Sequence, residues 1–312
     1  MGATRDIRSR VVDGGGDPLQ GRLRWDAPKS LWFSLHSAVA LVFALSTVSV
    51  SALCVFLGLS ALTLCGGHSL GMHRRWIHES YQCPKWLERV GVGLGTLVGL
   101  GGPLRMMRAH DVRDWAQRQT ACHPFYSQHN PFWRDMVWQL HFTFEPHTPP
   151  EFVPPAKYLR DPWMRLLQHG SMLPNAALSL VLWASGGWAW VVWGVSVRVV
   201  VSMFGHAAVG WFAHNRGHQS FTRPEASVQG FDVPVMALVS FGEAYHNNHH
   251  AFPECANLGL QPGQWDPGFW VLRQLERLGL VWDIQAEPVT SHGDIAPLRV
   301  PRTFRGSVPT KP

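Results

Sequence analysis

The stretch LWFSLHSAVALVFALSTVSVSALCVFLGLSALTLCGGHSLGMH, residues 31–73, contains no Asp, Glu, Lys or Arg. An uncharged run of this length is not a soluble strand or an ordinary core helix; it reads as membrane-spanning sequence. Wound as one helix, residues 31–67 would be about 55 Å long, against a hydrocarbon core of about 30 Å. Two spans therefore fit better, about 31–48 and 51–68, with a break at STVSVS (46–51). A second run, residues 166–215, carries only Arg198 among these residue types. It divides at ASGGWAW (184–190) into spans of about 172–186 and 188–208.

The fold expected is an all-α integral membrane protein, with four transmembrane helices in two hairpins. Residues 31–290 form the membrane domain, and 69–171 with 209–290 make a cytosolic helical cap. Sixteen tryptophans suit a membrane–water boundary. The short connections at 46–51 and 184–190 carry no Lys or Arg, whereas the long middle segment is rich in Arg. The positive-inside bias then puts both termini and the middle segment in the cytosol. Residues 1–30, mixed in charge, are expected to be a flexible cytosolic arm and not a cleavable signal. Residues 291–312, with PLRVPRTFRG at 297–306, are expected to be a flexible basic tail.

Other segments are less apolar. KWLERVGVGLGTLVGL (85–100) is too short and too close to charges to span, and is expected to lie at or re-enter the interface. DPGFWVLRQLERLGLVWDI (266–284) has the spacing of an amphipathic interfacial helix. FEPHTPPEFVPP (144–155) has too many prolines for a helix interior. Five cysteines without CxxC spacing argue against a disulfide framework or a zinc ribbon. The net charge of +6 lacks a compact basic cluster with interleaved aromatics. It is assigned to the cytosolic membrane surface, and no nucleic-acid partner is expected.

Seventeen histidines are the strongest chemical signal. His68, His73 and His78 follow the second span; His206, His214 and His218 end the fourth; His110 lies in the middle segment; His246, His249 and His250 sit in AYHNNHH (244–250). His214 and His218, like His246 and His250, are four apart and would share a helix face. His73 and His78 are five apart, which requires the helix to bend or end there. Neutral imidazole suits iron, zinc and copper. His36, His123, His129, His141, His147, His169 and His292 read as ordinary polar residues near a membrane end.

These residues resemble the membrane-bound fatty acid desaturases, in particular the acyl-CoA delta-9 type. GMHRRWIHESY resembles that family's first histidine box, and GEAYHNNHHAFP its third with both flanks. WFAHNRGH resembles the segment that carries one further ligand, although His214 stands where the family has Asn. The second box should follow GGPLRMM, but here HDVRDWAQ keeps only His110 and puts Arg113 and Asp114 at the other two positions. The resemblance implies a non-haem di-iron centre at the cytosolic face and an apolar tunnel for an acyl chain. It also implies O2 as oxidant and electrons from an external ferredoxin- or cytochrome-b5-like carrier.

The ligand set that follows is His73, His78, His110, Asp114, His214, His218, His246, His249 and His250, with His68 and His206 in reserve. Asp114 reads equally as an ion-pair partner of Arg113 or Arg118. Glu243 can accept a proton from a ligand imidazole. Arg198, inside a span, reads as a structural residue of the bundle. Arg74, Arg75, Arg105 and Arg108 can hold a phosphate-bearing head such as coenzyme A, or simply express the topology bias. Related hydroxylases and oxidative decarboxylases use the same metals and stay open as an alternative. A metal transporter would need ligands spaced through the spans, where this chain has few.

Overall fold

The computed structural model describes residues 10–12 and 14–288, with the backbone of Ala296–Pro297. Over these residues the chain is mostly helical. Helix α1 (Ala27–Phe43) starts where the Asp26 carboxylate accepts from the Lys29 amide, with Pro28 in the first turn. After a single tight turn at Leu45–Thr47, Val48 is extended and the Ser49 hydroxyl accepts from the Ala52 amide. That cap starts α2 (Val50–Ile77), so the serine-rich break at 46–51 falls where two runs of one apolar stretch separate.

Two elements among the described residues are long and apolar enough to cross a membrane, α2 at Val50–Ile77 and a later one at Leu173–Asn215. Between them lie α3 (Lys85–Thr96), α4 (Pro103–Arg118), α5 (Phe132–His141) and α6 (Pro162–His169). The Leu173–Asn215 element, α7, breaks at Gly187, whose φ of 71° and ψ of −162° only glycine adopts readily. Two short helices that matter to the site follow, α8 (His246–Ala251) and α9 (Pro267–Arg277). Apolar side chains point outward from α1 and the turn after it: Leu41 is 84% exposed and Leu45 89%. Such surface is unfavourable in water and suited to lipid.

The all-α expectation needs correcting in detail. Three two-stranded antiparallel pairs join distant segments: Val11–Val12 with Glu151–Phe152, Gly21–Trp25 with Phe142–Pro146, and Phe221–Thr222 with Ala296–Pro297. Residues 14–30, expected as a flexible arm, are tied down by the five-residue pair and by the start of α1 at Ala27. The proline-rich segment supplies their partner strands, which is why it is not helical. The C-terminal tail lies outside the described residues except for the backbone at 296–297. All five cysteines are free thiols.

Two of the apolar clusters join the long helices. One joins α5 and α7 through Met136, Leu140, Val195, Val199 and Met203, with Trp32 and Phe33 of α1 packed against it. The other joins α2, α3, α4 and α6 through Met72, Trp76, Val92, Met107 and Leu167. Arg198, fully buried in α7, donates to the Leu97 carbonyl at 2.7 Å, the Asn175 side-chain oxygen at 2.6 Å and the Gly194 carbonyl at 2.7 Å. A charge in this position is held by neutral oxygens from three segments, a bundle-fastening role.

The backbones of α2 and α3 come into direct contact. A Cβ built on Gly71 would lie 2.5 Å from the Gly91 carbonyl carbon, whereas one on Gly58 would meet nothing within 4 Å. Gly71→Ala is therefore expected to force α2 and α3 apart, to cost about 1–3 kcal/mol, and to lower bound iron because His73 is two residues away. Gly58→Ala should leave both unchanged. Thermal unfolding and iron content of the two purified variants check this, and equal behaviour would refute the packing argument.

Candidate metal centre

His73 and His78 share a face because α2 changes its winding. From Leu62 to Ile77 the helix is π-type, with the His78 amide bonded to the His73 carbonyl five residues back at 3.0 Å. That period aligns residues five apart, and π-turns recur at functional sites. The rings meet edge to face at 4.7 Å. The spacing in HRRWIH is thus the period of a wider helix.

Seven imidazoles gather into two groups. His73, His78, His110 and His249 bring ligand atoms within 4.8 Å of one another, and so do His214, His246 and His250. α8 joins them, since it carries His249 to the first group and His246 and His250 to the second; the His246 and His249 rings are 5.6 Å apart. In the first group the Nε2 atoms of His78 and His110 face each other at 3.3 Å. In the second, His246 Nε2 lies 3.2 Å from His214 Nε2 and 2.9 Å from His250 Nε2.

Neighbouring acceptors set which nitrogen faces inward. His73 Nδ1 is 2.6 Å from Glu243 Oε2, His110 Nδ1 is 3.2 Å from Asp111 Oδ1, and His214 Nδ1 is 2.7 Å from the Gly210 carbonyl. With Nδ1 donating, each Nε2 presents its lone pair to the group. Burial pushes His78, His249 and His250 well below the ordinary imidazole value, so their rings are neutral. Several neutral imidazoles with converging lone pairs repel unless a cation sits between them. The donor set therefore fits a pair of metal ions, and imidazole suits iron.

The two asparagines of AYHNNHH hold α8 in place. Asp232, fully buried, accepts from the Asn247 amide at 2.8 Å and the Asn248 amide at 3.3 Å. The Asn247 side chain bonds the Ser220 and Phe221 amides and the Gly230 carbonyl. The Asn248 side chain bonds the Leu258 carbonyl.

Several expected site residues lie elsewhere. His218 is outside both groups: α7 ends at Asn215, Arg216 is extended, and Gly217 turns the chain. His218 then pairs through its backbone with Asp232 and is exposed. A Cβ on Gly217 would sit 2.3 Å from the Asp232 carbonyl oxygen, so this departure needs glycine. The reserve residues His68 and His206 also stay outside, facing each other at 5.0 Å. Arg74 is 1% exposed and bound to Asp266, so it is closed to any head group. Arg75 is likewise buried, with Glu88 at 2.6 Å. Arg105 does reach solvent; it pairs with Asp26 beside Lys29 at a cavity of about 110 Å³.

Asp114 lies on the boundary. Its Oδ2 is 4.0 Å from His110 Nδ1 in the first group; burial pushes His246 of the second group down, and the Asp114 charge opposes that fall. Gln117 was not foreseen. It is buried, and its Nε2 lies 2.8 Å from the Tyr126 carbonyl and 3.1 Å from His214 Nε2. His110, Asp114 and Gln117 fall at i, i+4 and i+7, one stripe of α4. That spacing was visible in HDVRDWAQ, but glutamine has no place in a histidine-box pattern.

Comparison with known proteins agrees with this geometry. The sequence model of the fatty acid desaturase family matches residues 46–263. The chain is 32% identical over 254 residues to the sn-1 stearoyl-lipid 9-desaturase of Anabaena variabilis, covering 81% of this chain and 91% of that one. It is 31% identical to the enzyme of the same name from Synechocystis sp., covering 83% and 79%. The Acyl-CoA 5-desaturase AL21 of Anemone leveillei is 26% identical, covering 74% and 71%. The chain belongs to the fatty acid desaturase family, and it is an oxidoreductase of that class.

Asp114→Ala and His218→Ala separate the two readings of the second box. Asp114→Ala is expected to lower bound iron from about two per chain toward one and to reduce turnover by at least about tenfold. His218→Ala should retain iron. Metal analysis of the purified variants decides, and full iron in Asp114→Ala would remove it from the ligand set.

Proposed function

We propose that this chain inserts a double bond near the 9-position of an acyl chain carried on a membrane lipid, at a di-iron centre on the cytosolic side. Four helical segments, α1, α2 and the two halves of α7, cross the bilayer as two hairpins in this reading. The observation that carries it is the pair of imidazole groups on helices whose lower parts are uncharged. Lipid-borne substrate is favoured over acyl-CoA because Arg74 and Arg75 are taken up by internal ion pairs. The relatives from Anabaena variabilis and Synechocystis sp. are named as stearoyl-lipid enzymes, which points the same way. The cavity beside Lys29 and Arg105 would then receive a compact polar head.

In the first group His73, His78, His110 and His249 would hold one ion. His214, His246 and His250 would hold the other, with Asp114 and Gln117 facing them. The iron pair, when bound, supplies O2 activation and removal of hydrogen from an unactivated C–C unit. Two hydrogens leave the chain, and O2 becomes two waters using two further electrons and two protons. An external carrier such as a ferredoxin- or cytochrome-b5-like protein would deliver the electrons. Glu243, Asp111 and the Gly210 carbonyl keep Nδ1 protonated on three rings and so hold each ring's orientation. The apolar cores beneath exclude water from the chain.

A lipid profile of cells expressing the native chain beside His249→Ala tests this. A new monoene in native cells only is the expected result. A hydroxy acid or terminal alkene would replace the desaturase reading, and identical profiles would refute it.

A further inference from the structure

Beneath the metal centre, α2 and α7 bring polar groups together that neither imidazole group uses. On α7, Ser202 and Ala213 lie four residues before and seven after His206, on the same face, and both are buried. His206 itself is exposed. An open residue on a face closed above and below borders a space inside the bundle. His68 enters that space from α2, its ring edge to face with His206 at 5.0 Å. His73 and Glu243 are among the charged neighbours of both rings, which places the pair beside the metal centre and not at the lipid surface.

Two buried atoms lack partners, one on His68 and one on Ser202, a helical turn before His206. His68 Nδ1 and Ser202 Oγ are both buried without a hydrogen bond, and Ser202 is 3% exposed. A plain alkyl chain in this space would leave both unsatisfied, which is costly. An oxygen substituent would satisfy them, because a hydroxyl donates and accepts, and so do serine and neutral imidazole. His206 lies eight residues before His214, about 12 Å along the helix. An oxygen held there would be offset from the metal centre along the acyl chain.

We propose that His68, His206 and Ser202 form an oxygen-recognising subsite, and that the preferred ligand is an acyl chain bearing a hydroxyl or keto oxygen along its length. This rests on the reading of the interior space as the acyl path, but its test does not depend on turnover. A site built to bond a substrate oxygen discriminates strongly against chains that lack it, whereas an apolar site hardly discriminates the other way.

The test is equilibrium binding to the purified, iron-loaded full chain in detergent. The probes are octadecanoyl esters, unsubstituted or with one hydroxyl moved along mid-chain. One hydroxy isomer is expected to bind about tenfold tighter than the unsubstituted ester. In His68→Leu/His206→Leu that preference should vanish, with iron content and binding of the unsubstituted ester retained. Ser202→Ala should reduce the same ratio, and it serves if the double variant does not fold. Equal binding of all isomers would mean a water-filled gap only and would overturn the subsite. Loss of iron in the double variant would overturn it too, making the pair metal ligands. Preferential binding without a double bond in any chain would support the subsite while refuting the desaturase reading.

Discussion

The Arg74 guanidinium, buried between the HRRWIH box and the flanks of the third box, bonds the Asp266 carboxylate at 3.0 and 3.1 Å. It also bonds the carbonyls of Ala256 and Phe241 at 2.7 and 2.9 Å. Asp266 in turn accepts from the Leu258 and Phe269 amides and so starts α9. One cation thereby ties α2 to the segments on both sides of α8. Glu243 lies against it, with Arg74 Nε 3.6 Å from Oε1, and bonds His73 and Ser69. Burial alone would raise the Glu243 carboxyl, but the hydrogen bond from His73 and the charge of Arg74 hold it well below its ordinary value. Removing Arg74 would leave two carboxylates buried without their countercharge, a far larger loss than any one hydrogen bond. The imidazoles can stay neutral and convergent because this charged layer behind them is balanced.

Placement of the centre follows from the length of the helices that carry it. α2 spans 28 residues, about 40 Å at α-helical rise, which is longer than a hydrocarbon core of about 30 Å. α7 is likewise longer above its Gly187 break. Backbone groups within lipid must be satisfied inside the helix, so ligand-bearing loops are confined to the cap. There α8 is too short to be stable alone. It is held by Asp232, Asn247 and Asn248 instead, which explains why polar residues fill the interior of AYHNNHH.

Much of this was legible in advance. The uncharged runs, their breaks at 46–51 and at Gly187, and six of the histidine positions in the boxes carry local signals that survive without tertiary information. So does Glu243, one turn before the third box. What was not legible depended on long-range geometry. The spacing of His214 and His218 looked helical, yet Gly217 and the Asp232 backbone end the helix between them. Arg74 and Arg75 looked like topology or head-group charges, because their partners Asp266 and Glu88 are distant or unremarkable in sequence. The Gly21–Trp25 strand pairs with a segment about 120 residues away, and nothing local announces such a pairing.

The altered second box changes the balance between the two imidazole groups. One has four rings, a charge-balanced layer behind it and the Asp114 carboxylate 4.0 Å from its His110; the other has three rings, with Gln117 Nε2 of α4 3.1 Å from His214. A carboxylate is a harder donor than imidazole and adds negative charge. Because α4 carries His110 to one group and the Gln117 amide beside His214 of the other, any shift of that helix is felt at both. The Arg10–Asp111 pair, at 2.6 Å, and the Arg113–Gln139 bond, at 2.7 Å, fix α4 from two sides. The altered second box thus lies on a helix that an ion pair and a side-chain hydrogen bond fasten at neighbouring turns.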